Sequence, residues 1–272
     1  MTRRRLSARP WRSSKHSDGA EIVSGASRIV GESDDPAENL ALDEALLRAA
    51  PAAPVLWLWR NPACVVVGRG QKVHREVRED VCAQDGIPVL RRASGGGTVF
   101  HDRGNLNVSL VIPGPVDRPL EAIGSLMSAG VSRLGLPPRL GERGLFIGDA
   151  KLCGFAVFRT KTGLLAHSTL LISTPAERVG RYLTGPPPDP RPLDSHRSEV
   201  ASLADHGLRV GLEGVTSAIL AAAASQFGPL TTRKPDATER AWQRKLLTSR
   251  YHHTPWHTEG RQQDTPWTPQ SA

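Results

Sequence analysis

The chain has 272 residues, 39% hydrophobic and 23% charged, a balance that suits a globular fold with a sizeable core rather than a disordered chain. No stretch approaches the roughly 18 apolar residues of a membrane-spanning helix, which excludes a membrane protein. The net charge of +8 is not a nucleic-acid signal either: residues 1–20 hold six basic side chains against Asp18, and the rest of the chain carries only +3.

In chain order, residues 1–21 read as a disordered basic tail. Residues 1–17 lack the apolar segment of a secretory signal, and their Arg- and Ser-rich, acid-poor composition also fits a mitochondrial transit peptide. Cys64, Cys82 and Cys153 are too few and too far apart for a disulfide framework or a zinc spacing. The cytoplasm is therefore the expected location, ahead of the mitochondrial matrix. A first strand is predicted over 22–30. Asp34 and Asp35 ahead of Pro36 read as a helix start, with Leu40, Leu42, Leu46 and Leu47 on its apolar side. Residues 55–59 and 64–68 are strand-like, and Arg60, Asn61 and Pro62 between them read as the turn of a hairpin.

Residues 76–84 read as a helix stopped at Gly86. After a short run at 88–90 and a glycine-rich stretch, 106–112 is another strand. Leu120, Ile123, Leu126, Met127, Val131 and Leu134 recur at helical spacing. Residues 144–147, 151–159 and 169–173 read as hairpin-linked strands, and the proline-rich 185–194 as a loop, a candidate lid. Leu212, Val215, Ile219, Leu220, Ala223 and Phe227 mark a last helix. Residues 254–272 are expected to fray, with 259–272 the terminal tail. Helices mixed with hairpins predict an α+β fold, a mixed and largely antiparallel sheet flanked by helices, in one domain over 22–258.

Residues 91–105 read Arg91-Arg92-Ala93-Ser94-Gly95-Gly96-Gly97-Thr98-Val99-Phe100-His101-Asp102-Arg103-Gly104-Asn105. Three adjacent glycines between two strands strip the loop of side chains, so backbone N–H groups can approach a phosphate, a carboxylate or a slim chain. Arg92 beside them is placed to pair bidentately with an anion. On the glycines alone, a flexible hairpin loop is the plainer reading, and the loop is neither a Walker loop nor a dinucleotide fingerprint.

The full segment resembles the lipoate-binding motif of the lipoate–protein ligase A family, Arg-Arg-x-Ser-Gly-Gly-Gly-x-Val-Phe-His-Asp-x-Gly-Asn, at every specified position. The resemblance extends both ways, over about residues 25–260. Asn39-Leu40-Ala41-Leu42-Asp43-Glu44 resembles the family's first-helix motif, and Val66-Val67-Gly68-Arg69-Gly70-Gln71 its Gly-Arg-x-Gln hairpin. Gly148-Asp149-Ala150-Lys151-Leu152-Cys153-Gly154 is similar to the strand that carries the family's essential lysine. Ala166-His167-Ser168-Thr169-Leu170-Leu171 resembles its His-Gly-Thr-Leu-Leu strand, and Ser195-His196-Arg197-Ser198-Glu199-Val200 its Ser-x-Arg-Ser-x-Val.

The resemblance implies the fold of the biotin/lipoate ligase catalytic domain and an enzyme that joins lipoate or octanoate to a lysine through an acyl-adenylate. ATP and Mg²⁺ would serve as substrate and activator, or lipoyl-AMP as donor, with no tightly bound cofactor. Acceptors would be apo lipoyl domains of 2-oxoacid dehydrogenase-type complexes or the glycine cleavage H protein. Lys151 would be catalytic, its ammonium stabilising charge in both steps. Arg92, Ser94, Gly95, Gly96 and Gly97 would line the acyl chain and adenylate, with Val99, Phe100, His101, Asn105, Gly154, His167 and Thr169 completing the binding set. Metal ligands are not assigned. Asp102 and Asn105 are equally readable as turn formers.

Three departures from the family pattern carry consequences. No C-terminal accessory domain is expected, which points to a separate activating partner or an already activated donor. Arg143-Gly144 stands where the family often has an acidic pair, and Ser168 replaces the glycine of His-Gly-Thr. Two alternatives stay open. Strand alternation would put Cys153 beside Lys151, where an ammonium lowers a thiol pKa and favours thiol-dependent octanoyl transfer from a carrier protein. A non-catalytic lipoyl-binding subunit is the other. A biotin ligase is set aside, because no Gly-Arg-Gly-Arg-x-Gly is present.

Overall fold

The computed structural model describes residues 25–262. The expected basic tail, the start of the first predicted strand, and residues 263–272 lie outside the described residues. β1 (Ala26–Ile29) leads to α1 (Pro36–Arg48), whose N-terminus is capped as predicted: Asp35 Oδ1 accepts from the Ala37 N–H at 2.8 Å, with Pro36 in the first turn. Then follow β2 (Val55–Trp59), β3 (Cys64–Val67), α2 (Val73–Glu76), α3 (Glu79–Gln84), β4 (Val89–Arg91), β5 (Val99–His101) and β6 (Asn105–Pro113). The middle holds α4 (Pro119–Arg133), β7 (Arg139–Gly141), β8 (Gly144–Ile147), β9 (Ala150–Arg159), β10 (Gly163–Leu171) and α5 (Ala176–Tyr182). The chain closes with α6 (Leu212–Phe227), β11 (Leu230–Arg233), α7 (Ala237–Leu246) and α8 (Thr254–Glu259).

Eight strands form one sheet in the order β11-β1-β2-β6-β10-β9-β8-β7. β1 runs parallel to both its neighbours and every other pairing is antiparallel. The α+β reading with a mixed, largely antiparallel sheet is therefore what the chain adopts. A second sheet of three strands, β4-β3-β5, packs beside it. Side chains alternate between the two faces of the large sheet. Leu56, Val108, Leu110 and Ala166 point to one face, where α4 and α6 cover them. Val55, Trp57, Trp59, Val111 and Leu165 point to the other, against α1, α7, Val66 and Leu90 of the small sheet, and Trp256.

Four sequence expectations are corrected. Strands 55–59 and 64–68 do not form a hairpin: β2 already has β1 and β6 on its two edges, so β3 passes into the small sheet. The helix predicted over 76–84 is split into α2 and α3, because Val77 turns extended and bridges to Leu183. Residues 254–259 do not fray. They form α8, whose Trp256 is fully buried and donates its indole N–H to the Arg91 carbonyl at 2.8 Å. The predicted strand at 169–173 begins earlier, at Gly163, and ends at Leu171. Composition alone did not reveal α5, β11 or α7; the last starts with a capping box between Asp236 and Glu239.

Candidate active site

One row of residues runs in register across the large sheet: Gly144 of β8, Gly154 of β9, Thr169 of β10, Asn107 of β6 and Trp59 of β2. It lies on the face that carries Trp57 and Leu165. A cleft of about 1210 Å³ opens above this row, roofed by the glycine loop and by residues 190–200.

Lys151 reaches the cleft through an irregularity of β9. Cys153 pairs with Leu145 and Lys151 with Phe146, so Leu152 is an extra residue, a β-bulge. Leu152 and Cys153 both enter the core against α4 and α6. The bulge flips Lys151 to the opposite face, toward the cleft. There its stem runs over two glycines: a Cβ on Gly144 would lie 2.5 Å from Lys151 Cε, and one on Gly154 3.7 Å from Cε and Nζ. The backbone is pinned by Lys151 N–H to the Glu199 carbonyl at 2.8 Å and Ala201 N–H to the Lys151 carbonyl at 3.1 Å. The ammonium makes no hydrogen bond or ion pair with another described residue. Burial lowers its pKa from the ordinary lysine value.

The expectation that alternation puts Cys153 beside Lys151 is corrected by the same bulge. Cys153 joins the core cluster at the border of the cleft; burial raises its pKa to about 11, outweighing the Ser168 hydrogen bond and the Lys151 charge, which lower it. It is not the activated nucleophile that thiol-dependent transfer needs.

Arg92 is spent on the loop itself rather than left to grip an anion. Its Nε donates to Ser94 Oγ at 2.8 Å, and its two terminal nitrogens to the carbonyls of Val66 at 3.2 Å, Gly95 at 2.6 Å and Gly97 at 2.8 Å. The guanidinium thus holds the glycine loop by its carbonyl side, and burial lowers its pKa to about 10. Gly96 sits at φ +83°, a conformation that needs glycine. Ser94 continues the chain of contacts. Its hydroxyl accepts from Arg92 and hydrogen-bonds His167 Nε2 at 2.7 Å, and His167 Nδ1 faces the Asp43 carboxylate at 2.7 Å, where it donates to Oδ2.

A second relay starts at a backbone anchor. Ser33 N–H donates to Asn39 Oδ1 at 2.8 Å, which fixes that amide; Asn39 Nδ2 then donates to Asn61 Oδ1 at 2.9 Å. Asn61 Nδ2 in turn meets His101 Nδ1 at 3.1 Å, so His101 carries its proton on Nε2 and offers it to Thr169 Oγ1 at 3.0 Å. Thr169 donates onward to Asn107 Oδ1 at 2.8 Å. Burial, with Arg92 and His167 nearby, lowers the His101 pKa to about 3, so the imidazole is neutral.

Residues 189–197 are fastened over the cleft. Asp194 pairs with Arg75 at 2.6 Å and Arg197 with Glu76 at 2.7 Å. Ser195 Oγ accepts from Thr98 N–H and from Gln71 Nε2, both at 2.8 Å. The proline-rich stretch is thus tied to the glycine loop.

Of the sequence-predicted residues, Arg92, Gly95, Gly96, Gly97, Val99, Phe100, His101, Lys151, Gly154, His167 and Thr169 border the cleft. Ser94 and Asn105 stand behind it. Asn105 accepts from the Asp102 N–H at 2.7 Å and donates to the Phe100 carbonyl at 2.9 Å, while Asp102 Oδ1 accepts from the Gly104 N–H at 2.8 Å; together they build the β5–β6 turn. The sequence reading did not single out Asp43, Asn107, Trp59, Gln71 or Ser195 as functional. Asp43, Gln71 and Ser195 stood inside quoted family motifs without being given a role, and Trp59 and Asn107 stood inside predicted strands. Among the described residues, no group of three or more His, Cys, Asp or Glu is placed to hold a metal ion.

Residues 35–224 match the family model of the lipoyl protein ligase A/B catalytic domain. A relative from Aeropyrum pernix whose name places it with lipoate-protein ligase A is 40% identical over 154 residues, 54% of this chain and 58% of that protein. The match thus spans less than two thirds of the relative's length. A lipoate protein ligase structure from Thermoplasma acidophilum, with bound lipoic acid, superposes with a TM-score of 0.78 at 23% identity, covering 86% of this chain and 99% of that one. A bipartite lipoate protein ligase from Thermoplasma acidophilum, described with its E2 lipoyl domain, gives 0.78 at 25% identity over 89% and 99%. A lipoate-protein ligase A bound with ATP gives 0.76 at 24% identity over 86% and 98%. The family match takes in the glycine loop, Lys151 and His167 and covers well over half of the sequence: this chain belongs to the lipoyl protein ligase A/B catalytic domain family.

Proposed function

We propose that the chain transfers a lipoyl-type acyl group to the side-chain amine of a lysine on an acceptor lipoyl domain, through an acyl-adenylate. The observation that carries this reading is Lys151: an ammonium with no hydrogen bond or ion pair among the described residues, flipped by a bulge onto two glycines at one end of a cleft. The other end is walled by Trp59 and Leu40. Asn107 stands two strands from Gly154, about 10 Å at the usual strand spacing, the reach of an extended eight-carbon acid. The carboxyl group therefore belongs at Lys151 and the chain's far end near Asn107.

In the activation step, the carboxylate attacks the α-phosphorus of ATP, which enters with Mg²⁺ as its counter-ion, and pyrophosphate leaves. In the transfer step, the acceptor lysine amine attacks the acyl carbonyl, AMP leaves, and the amine loses a proton. Both steps build negative charge where Lys151 points, and a preorganised cation there stabilises it without reorganising. The glycine loop has its carbonyls held by Arg92, leaving backbone N–H groups available toward the cleft.

A separate protein for the activation step is favoured by the likeness to the bipartite ligase, which this chain matches over nearly all of that chain's length. Thiol-dependent transfer is disfavoured by the buried Cys153. A pure binding subunit is disfavoured by the Lys151 ammonium, which is unpaired among the described residues.

The reading is tested by intact-mass spectrometry of an apo lipoyl domain incubated with the chain. One tube contains ATP, Mg²⁺ and lipoate; the other contains synthetic lipoyl-adenylate. Modification in both marks a self-sufficient ligase, and modification with the adenylate alone marks a transferase that needs an activating partner. No modification in either overturns the reading.

A further inference from the structure

Two buried polar atoms at the far end of the cleft have no hydrogen-bond partner among the described residues. The relay that begins at the Ser33 N–H consumes the oxygen of the Asn107 amide, and its Nδ2 is left without a hydrogen bond although the residue is only 2% exposed. Asp43 gives Oδ2 to His167, and its Oδ1 is likewise left without a partner at 3% exposure. Both residues border the cleft, beside Trp59 and Leu40. One orphan is a donor and the other an acceptor. Buried groups of this kind are expensive to leave unmade, and a site that holds them rejects ligands that cannot satisfy them.

The orientation of the amide is the one that gives the Thr169 O–H an acceptor: Thr169 accepts from His101 and donates to Asn107 Oδ1, whereas exchanging the amide oxygen and nitrogen would turn an N–H toward that hydroxyl and take its acceptor away. The orientation of Asn107 is thus fixed by side chains up to 68 residues away from it in sequence, Asn39 among them.

We propose that Asp43 and Asn107 are specificity residues that read the far end of the acyl chain and select a sulfur-bearing terminus over a plain alkyl one. The inference rests on the acyl-site reading above. A saturated eight-carbon chain ends in a methyl group and leaves both atoms unsatisfied. A cyclic disulfide offers sulfur as a weak acceptor to Asn107 Nδ2. The reduced dithiol adds S–H donors for Asp43 Oδ1 and so answers both. The preferred ligand order is reduced dithiol, then dithiolane, then octanoate.

The test is isothermal titration calorimetry of the full chain with octanoate, lipoate and dihydrolipoate, the last kept under reductant. Both sulfur acids should bind at least about tenfold more tightly than octanoate, the size of one restored hydrogen bond to a buried group. Asn107→Leu should bring lipoate and octanoate to equal affinity, and Asp43→Asn should remove the advantage of the reduced form, with circular dichroism checking that each variant folds. Octanoate binding within about twofold of both sulfur acids in the unmodified chain overturns the inference while leaving the acyl site standing. So do folded variants that keep the original ratios. If none of the three acids binds, the acyl-site reading falls and the inference falls with it. The unmodified chain alone decides the matter should a variant not fold.

Discussion

Lys151 points into the cleft because β9 contains one residue more than the partner stretch of β8. The space it uses comes from Gly144 and Gly154, and these two glycines make different predictions. A Cβ on Gly144 would lie 2.5 Å from both Lys151 Cε and the Cys153 carbonyl, and the carbonyl cannot yield. Gly144→Ala should therefore cost single-turnover transfer on the order of 10²-fold, comparable to misplacing a transition-state donor. Gly154→Ala puts its methyl at an ordinary 3.7 Å and should retain most activity. The lysine also sets a pH dependence. Burial lowers its pKa, so the ammonium is present at lower pH and is lost, as pH rises, before the ordinary lysine range is reached. Transfer should show an alkaline limb below about pH 10.5 that is absent from the residual rate of Lys151→Ala. His101 adds no acid limb above about pH 4, because its pKa is already about 3. Cys153→Ala should leave the transfer rate unchanged; a collapse in that rate, with a captured acyl-thioester in the unmodified chain, would restore the thiol route.

At the scale of elements, α8 and the strand it covers are joined by one side chain. Arg91 is 1% exposed and donates to the carbonyls of Gly68, Arg69 and Gln71 on one side and of Trp256, His257 and Thr258 on the other. The first group belongs to the turn that carries Gly70 and Gln71 into the cleft. Arg91→Leu strands six buried or half-buried carbonyls and should cost about 3–5 kcal/mol, a fall in Tm of roughly 10 °C for a domain of this size. Ligand affinity should fall in parallel, because the turn is released.

The same region marks the limit of what the sequence disclosed. The glycine loop was legible because its chemistry is local: consecutive residues make the loop and the arginine that braces it. The tip of α1 was legible from Asp35 and Pro36 for the same reason. Residues 254–259 looked like a polar tail because their ordering depends on a buried indole and on Arg91, 165 residues away along the chain. The hairpin expected of β2 and β3 failed because pairing is decided by which edges other strands have taken. The bulge at Leu152 depends on register with β8, which no local pattern announces. Asp43 and His167, 124 residues apart, meet only when α1 lies across β10.

Over the whole molecule, the two faces of the large sheet divide the labour. One is sealed by α4 and α6 into a continuous apolar core. The other is left open between α1 and the small sheet, and the polar residues of that opening are arranged in two relays, one ending at Asp43 and one at Asn107. The result is a lane across the strands with a cation at its head and an apolar, hydrogen-bond-hungry end. The role proposed for Lys151, at the head of this lane, is to stabilise acyl transfer from the adenylate to a lysine amine. The most direct measurement is the single-turnover rate of lipoyl transfer from synthetic lipoyl-adenylate to an apo lipoyl domain, followed by intact mass, for the unmodified chain and for Lys151→Ala. Rapid modification is expected from the unmodified chain and a loss of about 10²–10³ in the variant, with the same melting behaviour in both. A folded Lys151→Ala variant that transfers as fast as the unmodified chain would rule this role out.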